Sequence, residues 1–490
     1  MSSPTRFRFL LPVIFAVVTS VSGFIDTYGH GRIKSTIPSG LTEDDALFLT
    51  PYIEKGQIEK GQDLAKVPPL LKDVESFAGY LTVNKTYSSN LFFWLFKTQQ
   101  GDWKKVPTVV WLQGGPGVSS LFGLFTELGP FSVTTKQKLK RRKWSWNRKY
   151  NLVFFDQPVG SGYSFTKDDQ GYARNEIDVA RDLYEALVQL HKLFPSLQKN
   201  KLIITGESYA GKYIPAIGYK IYQENQVSSF KINLGGLMIG NGFTSPGDML
   251  HYSSFLYKIG LIDGSTRRLL EGKEDQIRAH IRAGQWLEAM ADFNLEFGTI
   301  MSKIGFQNPY DFTNDKIGID GPEVQFIQNE KTRKAIHVGG HSVKPWVEEL
   351  LTAQEFPILF YSGQLDIIVA YPLSVAFYDS LEWPGALEYH KAERCIFQVG
   401  REVAGYFKTA GTFTEVMVRN TGHMVPTTQP EWAFALLDRF IPTVLRSPFP
   451  QVAHMLYIVI RSCLRKPLKL HHKEDNVCQP RRKVSSVNLG

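Results

Sequence analysis

The chain has 490 residues, 43% hydrophobic and 21% charged, with 33 Phe, 21 Tyr and nine Trp. That composition can fill a sizeable core and excludes a disordered or fibrous chain; the length suits one large body or about three domains of ~150 residues. The net charge of +9 sits at the ends: residues 1–23 carry +2, residues 451–490 carry +6, and the stretch between has 46 bases against 45 acids, so the body has no general attraction for polyanions.

Residues 1–23 read as a secretory signal: Arg6 and Arg8 open it, Phe9–Val18 is an apolar run of ten residues, and Val21-Ser22-Gly23 is small enough for cleavage. A membrane anchor is the alternative, but ten residues do not cross ~30 Å of hydrocarbon. A secreted route predicts glycosylation, and Asn84-Lys85-Thr86 is an acceptor sequence beside an expected strand. The three cysteines, Cys395, Cys463 and Cys478, are too few for a disulfide framework and lack metal-binding spacing.

Along the body, short apolar runs predict strands at Ala78–Val83, Leu91–Phe96, Val106–Leu112, Asn151–Phe155, Lys201–Thr205 and Leu234–Ile239. Between the fourth and fifth lies an expected helix, Asn175–Phe194, with Ile177, Leu183, Leu187, Leu190 and Phe194 on one face and Pro195 ending it. From about 264 to 350 the strand signal fades, and Leu269–Leu295 reads as helices broken at Gly284. Strands return at Pro357–Tyr361 and Val416–Arg419, before a last helix over Gln429–Phe440. Strands alternating with helices imply a mostly parallel sheet covered on both faces. The expected division is residues 24–263 and 351–445 as the sheet body, 264–350 as a mostly helical cap insertion, and 446–490 as a basic, disordered tail.

Three stretches carry chemistry. Gly206-Glu207-Ser208-Tyr209-Ala210-Gly211 lies between an expected strand and the helical run Tyr213–Gln223; a serine on so sharp a turn is pushed out of the sheet with its hydroxyl exposed. That hydroxyl needs a base, and the base needs a third group to hold its tautomer. Asp366 follows the strand ending at Tyr361, and His423 stands in Asn420-Thr421-Gly422-His423 before the last helix. The order Ser208, Asp366, His423 is that of an α/β-hydrolase triad, and the α/β-hydrolase fold is the expected architecture. Taken singly, an isolated histidine or loop aspartate is more often structural; strand-end placement and order together favour the triad. The third stretch, Trp111-Leu112-Gln113-Gly114-Gly115-Pro116-Gly117, follows an early strand. Its glycines either make an ordinary turn or aim N–H groups at a developing oxyanion.

These stretches, with TELGP, FFDQPVGSGYSF, IGNGF, SGQLDIIV and TGHMVP, resemble the signatures of the serine carboxypeptidase family in family order over residues 45–445. The wording is most similar to the vitellogenic-carboxypeptidase-like branch. The resemblance implies that Ser208 attacks the C-terminal peptide bond, His423 acts as base then acid, and Asp366 orients it. It also implies an oxyanion site from the N–H groups of Gly115 and Tyr209, and a carboxylate-recognition site from Gln113, Glu127, Glu207 and Trp111. Two glutamates facing a substrate carboxylate make sense only if protonated, so raised pKa values and activity in mild acid are expected. No metal or organic cofactor is implied. The expected partners are peptides with a free C-terminus, with no nucleic acid and no membrane span; a homodimer is left open. The expected location is the secretory pathway, ending outside the cell or in lysosomes or endosomes.

Departures from the family are part of the reading. Gln113 stands where many relatives have Asn, although the vitellogenic-like branch resembles this chain there. Val118 stands where many have a disulfide cysteine, a loss that typically costs ~2–5 kcal/mol. The run Ala335–Gly339 to Lys344-Pro345-Trp346 is short for the family, and the resemblance stops after about Pro442. Lys136–Lys143 holds six bases followed by Trp144 and Trp146, which admits a nucleic-acid surface but reads better as a solvated loop with packed tryptophans. An acyltransferase or esterase, and a catalytically weak binding protein, remain the rival functions.

Overall fold

The structure is a computed structural model that describes residues 46–134, 138–314 and 341–445. The expected signal, the run Ala335–Gly339, the basic tail, Cys463 and Cys478 lie outside the described residues. The strands in chain order are β1 (Lys66–Val67), β2 (Ser76–Asn84), β3 (Ser89–Phe96), β4 (Thr108–Leu112), β5 (Phe131–Val133), β6 (Leu139–Arg141), β7 (Asn151–Asp156), β8 (Leu202–Glu207), β9 (Leu234–Gly240), β10 (Ile358–Gly363), β11 (Cys395–Val399), β12 (Glu402–Ala410) and β13 (Phe413–Val418). Eleven of them form one sheet in the order β1-β2-β3-β7-β4-β8-β9-β10-β13-β12-β11. The six from β7 to β13 run parallel, and antiparallel strands close both edges.

Every residue of β4, β7, β8, β9 and β10 is buried, as continuous apolar runs between two helical layers should be. Alternate residues feed opposite faces: Val110, Phe155 and Ile204 join one core, Val109, Trp111 and Phe154 the other. On the first face lie α1 (Glu176–Leu193) and α2 (Ala210–Val227). Asn175 caps α1 by accepting the Asp178 N–H at 2.9 Å, with Glu176 and Asp178 in the favourable first turn.

Leu183, Leu187, Leu190 and Phe194 point inward as expected, but Ile177 is 65% exposed. Six residues before Leu183, it falls on a different face of α1, whereas Glu176, Val179 and Ala180 of the same turn are buried. Pro195 does not simply terminate the chain's helicity; it opens a further helical turn, Pro195–Gln198, where its missing N–H is harmless.

Between β9 and β10 the described residues are helical or irregular. The main helices are α3 (Gly264–Arg282), capped by Asp263 accepting from Thr266 N at 2.8 Å, and α4 (Trp286–Ile304), ended by Gly305 at φ 79°. Gly284, at φ 70°, makes the break between them. Lys344-Pro345-Trp346 opens α5 (Lys344–Ala353), and Trp346 stacks on Tyr219 of α2 at 6.0 Å. Helix α6 (Pro430–Leu445) covers the second face through Trp432, Leu437, Phe440 and Ile441.

Strands β11 and β12, absent from the sequence expectation, form a half-exposed edge, so their hydropathy gives little sign of them. The basic run is not all loop: Leu139–Arg141 pairs with β5 as an antiparallel ribbon. Among the described residues no helix is long and apolar enough to cross a membrane.

Candidate active site

Ser208 stands on the turn between β8 and α2 with φ 61°, a region that disfavours side-chain-bearing residues and that the surroundings must enforce. They do so from both sides: Ser208 N donates to Gly240 O at 3.0 Å, and the Ser208 carbonyl accepts from Gly211 N and Phe243 N, each at 2.9 Å. The neighbouring glycines are required by close approach. A Cβ on Gly211 would lie 2.6 Å from Phe243 N, and one on Gly206 would overlap the Leu112 carbonyl. Ser208 is half-buried, so its side chain is not sealed in the sheet.

Asp366 and His423, expected together from their order and strand-end placement, are in contact. His423 Nδ1 lies 2.7 Å from Asp366 Oδ2, both side chains being buried. Asp366 is held in turn by Asn241 Nδ2, which donates to the same Oδ2 at 2.7 Å, and by Val369 N, which donates to Oδ1 at 3.3 Å. The loop carrying His423 is fixed by its own N–H on the Tyr310 carbonyl at 2.7 Å. With Asp366 accepting at Nδ1, the imidazole directs Nε2 away from the aspartate, the tautomer a general base needs.

The loop after β4 abuts the serine turn. A Cβ on Gly114 would lie 2.6 Å from Tyr209 N and 2.7 Å from Ser208 Cβ, and Gly115 has φ 113°. Tyr209 is thus part of a backbone contact between the two loops, and Gly115 is one residue from it. Asp156, at the end of β7, secures this region: Ser119 Oγ and Ser120 N donate to its Oδ1 at 2.6 and 2.9 Å, and Ser120 Oγ accepts from Gln113 N at 3.1 Å. Burial pushes the Asp156 carboxyl up to about 6 despite these bonds.

Trp111, Gln113, Glu127 and Glu207 form one buried cluster. Trp111 Nε1 donates to Gln113 Oε1 at 2.8 Å, and Gln113 Nε2 donates to Glu207 Oε1 at 2.8 Å and Glu127 Oε1 at 3.1 Å. Because an indole N–H only donates, it fixes which end of the amide faces it and turns the NH2 toward the two acids. Glu127 comes from a π-helix, Gly123–Leu128, and Gly123 leaves room for the indole, since a Cβ there would overlap Trp111 Nε1.

Burial raises the Glu127 carboxyl to about 7, with contact to Glu207, the Gln113 hydrogen bond and the fields of His423 and Arg142 acting the other way. Burial first, then the charge of Glu127, holds Glu207 well above the usual carboxylate range. Two carboxyls sharing one donor amide in a dry site keep at least one proton between them well above the pH at which exposed acids lose theirs.

Asn84, the glycosylation expectation, is half-buried at the end of β2, its Oδ1 accepting from Thr86 N at 3.0 Å. Sequence reasoning assigned no role to Asn241, Asp156 or Arg142. Asn241 and Asp156 lie inside quoted family stretches, IGNGF and FFDQPVGSGYSF, but nothing local marks them as partners of Asp366 and Ser120. Arg142, one base of the run expected to be solvated, donates to the carbonyls of Phe125 and Gly129 at 2.7 and 3.2 Å and closes the π-helix that carries Glu127. Trp146 packs edge-on against Trp111 at 5.5 Å. Among the described residues no group of three His, Cys, Asp or Glu is placed to hold a metal ion.

Comparison with known proteins bears on this geometry. The serine carboxypeptidase family profile matches residues 68–338 and 313–443. The chain is 45% identical to a venom serine carboxypeptidase of Apis mellifera over 82% of this chain and 92% of the relative. It is 40% identical to the probable serine carboxypeptidase CPVL of Homo sapiens, covering 88% and 96%, and 40% identical to the vitellogenic carboxypeptidase of Aedes aegypti, covering 81% and 90%. The crystal structure of Kex1(Δ)p, a prohormone-processing carboxypeptidase from Saccharomyces cerevisiae, shares the fold with a TM-score of 0.66 at 23% identity, over 78% of this chain and 96% of that one. On the family match and the length over which these relatives align, the chain belongs to the serine carboxypeptidase family, serine-type exopeptidases on an α/β-hydrolase fold.

Proposed function

We propose that this enzyme removes C-terminal residues from peptides through an acyl-enzyme on Ser208, in mildly acidic solution. The observation that carries the reading is the pair of buried glutamates on one amide, with Glu207 immediately before the serine. Ser208 Oγ attacks the last peptide carbonyl while His423 Nε2 takes its proton; Asp366 stabilises the imidazolium. The N–H groups of Gly115 and Tyr209 receive the oxyanion. His423 then protonates the leaving amine, and water, deprotonated by the same imidazole, releases the acyl group.

Gln113, Glu127, Glu207 and the Trp111 that orients them would bind the substrate's terminal carboxylate. A carboxylate is tolerated there only while the pair is protonated, so affinity is kept below about pH 7 and declines above it. The helices α3 and α4, with the rest of the expected insertion 264–350, would roof the sheet's crevice as a cap. The expected signal at 1–23 and the acceptor at Asn84 fit passage through the secretory pathway, the origin of a venom enzyme such as the relative from Apis mellifera.

Two measurements test the reading. A fluorophosphonate probe should label the folded enzyme on Ser208 and leave Ser208→Ala unlabelled; no adduct on the folded wild type sinks it. Free-acid peptides should be cleaved far faster than their C-terminal amides at pH 5, whereas equal rates would point to an esterase or endopeptidase.

A further inference from the structure

The carboxyl pair has a neighbour on its far side. Glu207 is in register with Gly240 across β8 and β9, and Gly240 with Tyr361 across β9 and β10. The three positions therefore form one row on one face of the sheet, and Gln113, just past the end of β4, continues it beyond Glu207. Gly240 contributes no side chain, and a Cβ there would overlap the Tyr361 ring and hydroxyl. The phenol thus lies across the glycine, leaning from β10 toward Glu207. Tyr361 Oη, Glu207 Oε2 and Glu127 Oε2 are all buried with no hydrogen-bond partner outside the trio among the described residues, the two carboxyls lying within hydrogen-bond reach of each other. Buried polar atoms are rarely left so, and these three belong to neighbouring side chains, the phenol feeling the charge of Glu207 first and Glu127 second.

We propose that Tyr361 is a positioning residue of the carboxylate-recognition site, its hydroxyl donating across Gly240 to the outer oxygens of the Glu127–Glu207 pair, directly or through one water. The inference rests on the carboxylate-recognition reading above. Tyr361 makes no contact with the scissile bond in this arrangement; it acts through the acids. A neutral phenol has one proton to give, and burial keeps it neutral. Donating that proton steadies the ionised form of the pair and fixes the orientation of both carboxyls. The other charged groups around the pair are Arg142 behind the π-helix, His423 from the loop after β13, and Asp366 from the loop after β10. Substituting Tyr361 leaves all three in place.

The test is Tyr361→Phe, which removes the oxygen and keeps the ring over Gly240. KM and kcat are measured from pH 4 to 8 on a free-acid peptide and on an ester whose acyl side is the same and whose C-terminus carries no carboxylate. Without the donor the pair should keep its proton longer. The alkaline fall of kcat/KM for the free-acid peptide should move up by about one pH unit, the size of one hydrogen bond to a charged group. KM at pH 5 should rise several-fold with little change in kcat, and the ester profile should not show the pH shift. A Tyr361→Phe profile that superimposes on wild type, or moves down, overturns the proposal. If the Phe variant does not fold, 3-fluorotyrosine at position 361, a stronger donor of the same shape, should move the fall in the opposite direction; no movement overturns the proposal equally. Should wild type itself show no preference for free-acid peptides, the carboxylate-recognition reading fails, a result distinct from the failure of Tyr361 alone.

Discussion

Glu296 offers a stability experiment whose sign and size follow from the structure. It sits on α4 facing α3, wholly buried, and neither carboxyl oxygen has a hydrogen-bond partner among the described residues. Burial first, then the charge of Glu274 on α3, raises its pKa from 4.5 to about 8, with Arg278 and Lys273 acting the other way. The folded value lies above the unfolded one, so the folded chain holds an extra proton between those limits. The associated stability is intact below pH 4.5 and is lost as pH rises through 8. At ~1.4 kcal/mol per pH unit, the loss amounts to about 4 kcal/mol by pH 8 and under about 1 kcal/mol at pH 5.

Glu296→Gln keeps the shape and removes the titration. Denaturant midpoints of the two proteins should nearly coincide at pH 5, and the variant should be the more stable by about 3–4 kcal/mol at pH 8. A difference of the same size at both pH values would falsify the assignment of that proton to Glu296. The effect reaches the active site's neighbourhood, because Tyr252, which packs on Phe293 and Phe297 of α4, donates to the Ile368 carbonyl at 2.6 Å, two residues from Asp366.

Three further outcomes are expected. Gly123→Ala drives a methyl into Trp111 Nε1 and should break the indole–amide hydrogen bond, raising KM for free-acid peptides about tenfold or more while leaving fluorophosphonate labelling of Ser208 near the wild-type rate; equal losses on both would mean general damage. Asn241→Ala removes a 2.7 Å donor to Asp366 and should lower kcat by about 10- to 100-fold, the range for one hydrogen bond to a charged group, with KM unchanged; a pure KM effect would contradict it. For wild type, kcat/KM on a free-acid peptide should begin to fall near pH 7, where Glu127 gives up its proton, at about tenfold per pH unit for one proton, whereas Glu127→Gln/Glu207→Gln should show no such fall, and persistence of the fall in that double variant would place the titrating group elsewhere.

The parts of this enzyme that sequence discloses are those whose chemistry is local. The buried strands are legible because both faces are covered and their runs are mostly apolar. The serine turn is legible because a tight strand-to-helix reversal needs Gly206 and Gly211, and their spacing is visible in the chain. The edge strands β11 and β12 are not, since a half-solvated antiparallel edge needs no apolar run. Ile177 shows the limit of apolarity from the other side: six residues from Leu183 it falls off the buried face, which Val179 and Ala180 continue instead.

The site divides on the same line. Ser208, Asp366 and His423 were suggested by order and strand-end placement, yet nothing local indicates that Asn241 shares Asp366 Oδ2 with the histidine, or that Asp156 anchors Gln113 through Ser120. Those bonds join residues 125 and 36 positions apart, and only the sheet's crossovers bring them together. Glu127 is the sharpest case. Taken alone, it looks like a solvated helix residue near a turn; in the fold it is sealed under Trp111 by a π-helix whose carbonyl ends Arg142 closes. The upward shift of its carboxyl follows first from that burial and from no property of its neighbours in sequence. Tyr361 goes one step further, since its nearness to Glu207 depends on the absence of a side chain at Gly240 on the strand between them. A cluster assembled in register across β4, β8, β9 and β10 is written in pairing, and pairing is what a linear reading does not supply.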